Sequence, residues 1–491
     1  MINDPSNFVP HNHVHHPYAH QLENFERTRE LEYYALFWEM GTGKTKPLID
    51  TITWLFLNQQ IDGALIISDK GAYLNWENQE LPKHMQSDVY AATRIAHWSS
   101  YSRAEDSKKC AEVLEAKNDV LDILLVNVES LSGQRSTNYC REFLQNHHAM
   151  MIIDEATSIK NPKAQRTINC WILGTLAEYR RIATGTPITQ GPLDIYSQAH
   201  FLCPGILGHG SFTSFRAQFA IMKEVVMGTR RFRTVVGYQN LDTLRKKIQP
   251  WSSRILKSEC LDLPEKIYEI EHVEMTPEQT RAYEALRTQA LVMLGEGMLT
   301  STNAMTTIEK LHQICCGHVR DDDGIIHDIP HNRLESLIDL VDRVAGKVIV
   351  WCHYQHDVES VMRALTEHWR DEDAYAVHYY GRTTQDERVN HLQLFADDPN
   401  CRGFVGTPST GGKGLTLVSS SFSIYYSCGW KLESRLQSED RLHRIGQRRN
   451  VTYIDLICPG TVEVKILRAL HDKKDLAADI LDATRLRDLL T

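Results

Sequence analysis

Seven residues, Glu39-Met40-Gly41-Thr42-Gly43-Lys44-Thr45, constrain the fold of this 491-residue chain more than any other stretch. They follow Tyr34-Ala35-Leu36-Phe37, an apolar run that reads as a short buried strand. They precede Leu48 to Leu57, where apolar residues recur at helical spacing. Strand, glycine turn and helix in that order open a parallel α/β sheet. The glycines let amide N–H groups converge at a helix N-terminus, where the helix dipole favours an anion. Phosphate fits that geometry: Lys44 would reach the terminal phosphates, and the Thr45 hydroxyl would bind the Mg²⁺ that accompanies them. The full phosphate-loop pattern has another glycine five positions before Gly43. Trp38 stands there, so the match is to the G-x-G-K-T core.

A second block supplies carboxylates. Met151-Ile152-Ile153-Asp154-Glu155-Ala156-Thr157 is an apolar run that ends in two acids. This places Asp154 and Glu155 at the C-terminal end of a buried strand, where open α/β sheets gather their ligands. Asp154 would hold Mg²⁺, and Glu155 would orient or deprotonate an attacking water. A third block, Gln437-Ser438-Glu439-Asp440-Arg441-Leu442-His443-Arg444-Ile445-Gly446-Gln447, sets Arg441 and Arg444 three residues apart on one expected helical face. Alone, it would serve as the basic stripe of a solvated helix. Downstream of the loop and the acids, it reads as a source of guanidinium groups for phosphate oxygens, which the planar, always charged fork matches.

With these motifs in order, the chain resembles a Swi/Snf-related ATPase of helicase superfamily two, in a compact prokaryotic or viral form. Pro17-Tyr18-Ala19-His20-Gln21 resembles the adenine-reading Q motif. Ala64-Leu65-Ile66-Ile67 with Asn75-Trp76 is similar to motif Ia and its downstream pair, and Asp154-Glu155 with Ile159-Lys160-Asn161 to the family's extended acidic motif. Ala183-Thr184-Gly185-Thr186-Pro187-Ile188 resembles motif III, Lys347 to Cys352 motif IV, Gly411 to Leu417 motif V and the arginine block motif VI. The resemblance implies two RecA-like parallel-sheet lobes with helical insertions. The expected ATP-binding lobe is 1–257, with a protrusion at about 190–250. A link at 258–270 leads to a C-terminal lobe at 271–463 with a helical start near 275–330, and a brace helix spans 464–491.

The resemblance also implies the site. ATP would lie on Gln21, Met40, Gly41, Thr42, Gly43, Lys44, Thr45, Gly412, Gly414 and Asp440. Lys44, Asp154, Glu155, Arg441 and Arg444 would be catalytic, and Thr45 and Asp154 would hold Mg²⁺. DNA would meet Lys70, Thr186, Trp351 and Thr410. Three positions depart from the family pattern: Thr157 stands where histidine is usual, Asp69 where proline is usual, and Thr416 where asparagine is usual. They bear on the coupling of nucleotide to DNA rather than on hydrolysis.

Two regions stay open on the residues alone. Arg230, Arg231 and Arg233 around Phe232, with Arg245-Lys246-Lys247 nearby, suit phosphate contacts. They suit equally the charged guard of an edge strand. The cysteines of Leu311-His312-Gln313-Ile314-Cys315-Cys316 read as those of a buried helix. The His11, His13, His15, His16 and His20 cluster lacks a cysteine or carboxylate at zinc spacing and reads as no metal site.

Composition excludes other classes. No apolar run of about 18 residues is present to span a membrane. Eleven cysteines without a C-x-x-C pair suit reduced thiols, and Met1-Ile2-Asn3-Asp4 lacks a secretory pattern. A cytoplasmic monomer of bacterial or viral origin is expected. A net charge of −9 leaves room only for local basic strips. The activity expected is a motor that hydrolyses ATP on duplex or branched DNA and remodels it, or strips proteins from it. A strand-separating DNA or RNA helicase is the alternative.

Overall fold

Strands whose odd and even positions are both buried must be covered on both faces, which is the condition of a parallel sheet inside an α/β layer. The computed structural model meets it twice. It describes residues 16–69, 73–98, 104–227, 230–295, 301–344, 346–411 and 415–481, with the backbone alone at 104–105, 225–227, 230, 232, 291, 293–295, 301–304 and 475–481. The chain forms two units, the first holding the described residues to 221 and 237–262, the second 222–236 and 263–475.

In the first unit the strands are β1 (Tyr33–Trp38), β2 (Gly63–Ser68), β3 (Thr93–Trp98), β4 (Leu121–Asn127), β5 (Ala149–Asp154) and β6 (Tyr179–Ala183). β7 (Ala220–Met227) and β8 (Arg230–Tyr238) form a small sheet of their own, and β9 (Ser252–Ile255) returns to the large one. The large sheet has the order β3-β4-β2-β5-β6-β1-β9 and is parallel throughout. Alternate residues feed two cores: Leu65, Ile67, Met151 and Ile153 enter one, Ala64, Ile66, Met150 and Ile152 the other. The expected protrusion at 190–250 is narrower than the sequence suggests. The helices Ile195–Leu202, Phe212–Phe219 and Leu241–Ile248 bury Ile195, Ala199, Leu202, Phe215, Phe219, Leu244 and Ile248 in the first core. Their apolar residues repeat at helical spacing, so they belong to the lobe, and only β7 and β8 lie outside its sheet.

The second unit contains β10 (Lys266–His272), β11 (His318–Arg320), β12 (Ile326–Asp328), β13 (Val348–Trp351), β14 (Tyr375–Tyr379), β15 (Cys401–Gly406), β16 (Phe422–Tyr425) and β17 (Val451–Ile457). Its main sheet, β10-β17-β16-β13-β15-β14, is also parallel, while β11 and β12 form an antiparallel hairpin. Val348 and Val350 enter one core, Ile349 and Trp351 the opposite one. Sequence reading treats 258–270 as a link. Instead Lys266–His272 is the edge strand, paired residue for residue with Val451–Ile457. An edge strand needs less apolar cover, and Ile267, Tyr268 and Ile270 stay exposed, so its sequence shows no buried run. Among the described helices, Pro277–Gly295 follows that edge strand. Ser301–Cys315 is the helix expected around Leu311, buried from Leu311 to Cys315 and exposed at Met305 and Ile308, and Val462–Leu481 is the last. None is long and apolar enough to cross a membrane.

Candidate nucleotide site

β1 and β5 flank β6 in the large sheet, so the loop after Trp38 and the acids after Ile153 leave neighbouring strand ends, about 10 Å apart at the usual strand spacing. The loop turns on Gly41 and Gly43, with φ of +81° and +80°, the left-handed region in which a side chain is strained. It delivers Lys44 to the start of the helix Thr45–Leu57, whose first amides have no intrahelical acceptor. Lys44 is buried, and its Nζ donates to the carbonyl oxygens of Trp38 at 3.1 Å and Glu39 at 3.4 Å. Trp38, the departure from the full glycine pattern, is buried and donates from Nε1 to Ser253 Oγ at 2.8 Å. An indole packed beneath the loop thus stands where the pattern has a glycine.

Gln21 and His20 clasp the loop from the helix Ala19–Thr28. Gln21 Nε2 donates to the Gly43 carbonyl at 3.0 Å while its Oε1 accepts from the Tyr18 amide at 2.8 Å, and His20 Nε2 lies 2.9 Å from the Thr42 carbonyl. Met40 abuts Gly185, where an added Cβ would meet Met40 Cγ at 2.9 Å; the loop and motif III are therefore in contact.

Asp154 Oδ2 accepts from Trp76 Nε1 at 3.1 Å. Burial pushes the Asp154 carboxyl above the ordinary range, and Lys44 and the Trp76 hydrogen bond pull it back. Glu155 adopts a left-handed backbone, φ +53°, and its Oε2 accepts from Thr184 Oγ1 at 3.1 Å. Thr184 Oγ1 is 2.9 Å from Thr157 Oγ1 and accepts from the Thr186 amide at 3.2 Å. Thr184 thus joins motif III to Glu155, and the threonine that replaces the family's histidine at 157 supports Thr184 through its hydroxyl.

These donors fit ATP with Mg²⁺: a hydroxyl and a desolvated carboxylate are hard oxygen ligands, and the loop presents N–H groups and an ammonium to phosphate.

The second unit holds the arginines differently from the sequence expectation. The helix Leu432–Glu439 ends before them, and Arg441 and Arg444 lie on the turns that follow. The chain tightens there to i→i+3 bonds at Arg441 and Leu442, and the Glu439 carbonyl also accepts from the Tyr453 hydroxyl at 2.7 Å. Both guanidinium groups still converge. Arg441 Nη1 and Arg444 Nη1 donate to the Leu415 carbonyl at 3.1 and 2.9 Å. Asp440 lies 3.7 Å from Lys266. Nearby, Arg435 makes a buried bidentate pair with Asp455 and bonds Glu439 from Nε at 2.8 Å.

The SNF2-related domain model matches residues 33–319, more than half of the chain, and the helicase conserved C-terminal domain model matches 332–446. The chain belongs to the SNF2-related family. Curated relatives of this SNF2-related chain include Nuclear protein STH1/NPS1 of Saccharomyces cerevisiae, 26% identical over 91% of the chain and 33% of the relative. Another is an uncharacterized ATP-dependent helicase of Mycoplasma pneumoniae, 25% identical over 90% of the chain and 40% of the relative. The chain thus spans between a third and two-fifths of the length of these relatives. A solved SWI2/SNF2 ATPase core of Sulfolobus solfataricus in complex with dsDNA is 23% identical, with a TM-score of 0.43, over 96% of this chain and 94% of that one.

Other expected site residues are dispersed. Trp351 is wholly buried, its ring 2.7 Å from where a Cβ on Gly411 would lie, so it is a core residue of the second unit. Thr410 sits in the short helix Pro408–Gly411 and Thr186 is half-buried beside Thr184. Arg231 is exposed, 4.0 Å from Glu224, and Arg233 is exposed on β8. Lys70, Gly412, Gly414, His11, His13, His15 and the side chains of Arg230 and Phe232 lie outside the described residues. Sequence reading missed the His20 contact and the Thr157–Thr184 bridge, although both residues lie inside motifs it singled out. It also missed the Arg435–Asp455 pair, which no local pattern marks.

Proposed function

We propose that the chain is a DNA-stimulated ATPase that moves along duplex DNA and remodels branched DNA or protein–DNA complexes, as in replication, repair or recombination. The observation that carries this reading is the glycine loop closed by Lys44 next to a desolvated Asp154, in a chain of the SNF2-related family. Gln21 would read the adenine, while Met40, Gly41, Thr42 and Gly43 cradle the phosphates. Lys44 would bind the terminal phosphates through its ammonium. Bound Mg²⁺, on Thr45 and Asp154, would neutralise phosphate charge. Glu155, fixed by Thr184, would align or deprotonate the attacking water. Arg441 and Arg444 would supply guanidinium groups to the transferred phosphoryl, with Gly412, Gly414 and Asp440 completing the nucleotide contacts. Thr186, Thr410, Lys70, Arg230, Arg231 and Arg233 are the proposed DNA contacts. A cytoplasmic monomer is proposed with this role.

A strand-separating helicase is the second reading, favoured by the Mycoplasma relative described as an ATP-dependent helicase. Phosphate release is measured without nucleic acid and with single-stranded, duplex and branched DNA and RNA, beside a strand-displacement assay. Stimulation by duplex or branched DNA without displacement is expected. Displacement, or stimulation by single strands or RNA alone, moves the assignment to the second reading. Glu155→Gln should bind ATP and fail to turn over; wild-type turnover in that variant overturns the catalytic assignment.

A further inference from the structure

At the C-terminal end of the helix Ser301–Cys315, His312, Cys315 and Cys316 are buried in the second unit, with Cys458 after β17 and Glu463 in the first turn of the helix Val462–Leu481. None of these groups has a part in the nucleotide chemistry above. The ligand atoms of His312, Cys316 and Glu463 lie within 4.8 Å of one another, as do those of Cys315, Cys458 and Glu463.

His312 Nδ1 lies 2.9 Å from the Tyr354 hydroxyl, which is itself 3.5 Å from the Glu309 carbonyl. A proton on Nδ1 leaves a bare lone pair on Nε2. That Nε2 is buried and stands 3.5 Å from Glu463 Oε1. The other oxygen of Glu463 is already committed: Oε2 accepts from Arg333 Nη2 at 2.5 Å and from the Cys458 amide at 2.8 Å. In the tautomer with its proton on Nδ1, two lone pairs face each other in a dry interior, an arrangement that costs free energy unless a cation lies between them. Cys316, four residues after His312 and so on the same side of the helix end, brings a thiol to the same point. One imidazole nitrogen, one sulfur and one carboxylate oxygen form a donor set for a borderline-soft divalent ion such as Zn²⁺.

We propose that His312, Cys316 and Glu463 form a zinc site, with the fourth donor drawn from the Cys315–Cys458 thiol pair. On binding, the S–H bonds of Cys316 and of the one thiol drawn from Cys315 and Cys458 break, each electron pair forms a sulfur–metal bond and two protons leave to solvent, with no change of oxidation state. Arg333, fully buried and 3.5 Å from Cys458 Sγ, offsets the negative charge that the sulfurs and Glu463 bring. The ion ties the end of one helix to the start of another that is distant in sequence, so the site is structural rather than catalytic. Tyr354 is its positioning residue, acting through the His312 ring.

The test uses the full chain, purified with reductant, stripped by a chelator and reloaded with zinc. Metal analysis after desalting should find about one zinc per chain, as a closed protein site retains it. Cobalt in place of zinc should give a sulfur-to-metal charge-transfer band in the near ultraviolet. That band should be lost in Cys316→Ser and kept in Cys110→Ser, which alters a thiol of the other unit. Tyr354→Phe keeps every ligand and should weaken zinc binding by about 10–100-fold in competition with a chromophoric chelator. Because the cobalt spectrum is taken on the unsubstituted chain, a Cys316→Ser variant that fails to fold does not remove the test. No retained zinc and no cobalt band in fully reduced protein overturns the proposal and leaves a proton as the shared cation. So does a Cys315–Cys458 disulfide, seen as the loss of two hydrogens by mass, in protein that takes no zinc.

Discussion

Gly43→Ala should weaken nucleotide binding by an amount that depends on Gln21. A left-handed backbone costs an alanine about 1–2 kcal/mol. The new Cβ would also stand 2.2 Å from Gln21 Nε2. The amide must then withdraw and give up its 3.0 Å bond to the Gly43 carbonyl, worth about 0.5–1.5 kcal/mol. Together these disfavour the observed loop by about 1.5–3.5 kcal/mol, or a roughly 10–400-fold rise in Kd. The assay is titration of a fluorescent ATP analogue against wild type, Gly43→Ala, Gln21→Ala and the double variant, with thermal unfolding as the control for folding. In the Gln21→Ala background the Gly43→Ala step retains only its backbone part, so its cost should fall by about 1 kcal/mol. Equal costs in both backgrounds would refute the steric argument. Wild-type affinity in Gly43→Ala would refute the claim that this loop conformation is the one that binds.

Arg444→Ala should leave ATP affinity near wild type and lower turnover by about 10³-fold or more, read by a binding titration beside phosphate release. Arg435→Leu strands Asp455 and Glu439 in the interior and should cost about 3–5 kcal/mol in a denaturant titration. Asp50 is raised to about 7 because burial outweighs its ion pair with Lys46. The folded chain therefore holds a proton that the unfolded chain releases above about pH 4, so this group's contribution to stability falls as pH rises from about 4 to 7. Asp50→Asn removes that term, and its unfolding free energy relative to wild type should climb through the same window, by up to a few kcal/mol.

The two sheets and the loop were legible because they rest on local patterns. Tyr34 to Phe37, Met151 to Ile153 and Lys347 to Cys352 are runs that only a doubly covered strand can bury, and Gly41 and Gly43 take the left-handed φ that their residue type permits. β10 was not legible, because an edge strand is selected by main-chain pairing with β17, and Tyr268 or Ile270 can stay exposed without penalty. The end of the arginine helix was hidden because the chain only tightens to i→i+3 bonds at Arg441 and Leu442, which leaves the helical spacing through 444 intact in the sequence. Glu155 was expected, but its orientation by Thr184 was not, because that contact joins two strand ends that only the sheet order brings together.

Lys44 is already ordered by the protein's own carbonyl groups at Trp38 and Glu39. A lysine that gives up its rotamer freedom on folding loses up to about 2 kcal/mol of side-chain entropy at that stage. An incoming phosphate then exchanges one set of oxygens for another around an ammonium that is already in place, and its affinity carries none of that ordering cost. The loop is in this sense preorganised, and the entropic debt of its central cation is settled when the first unit folds.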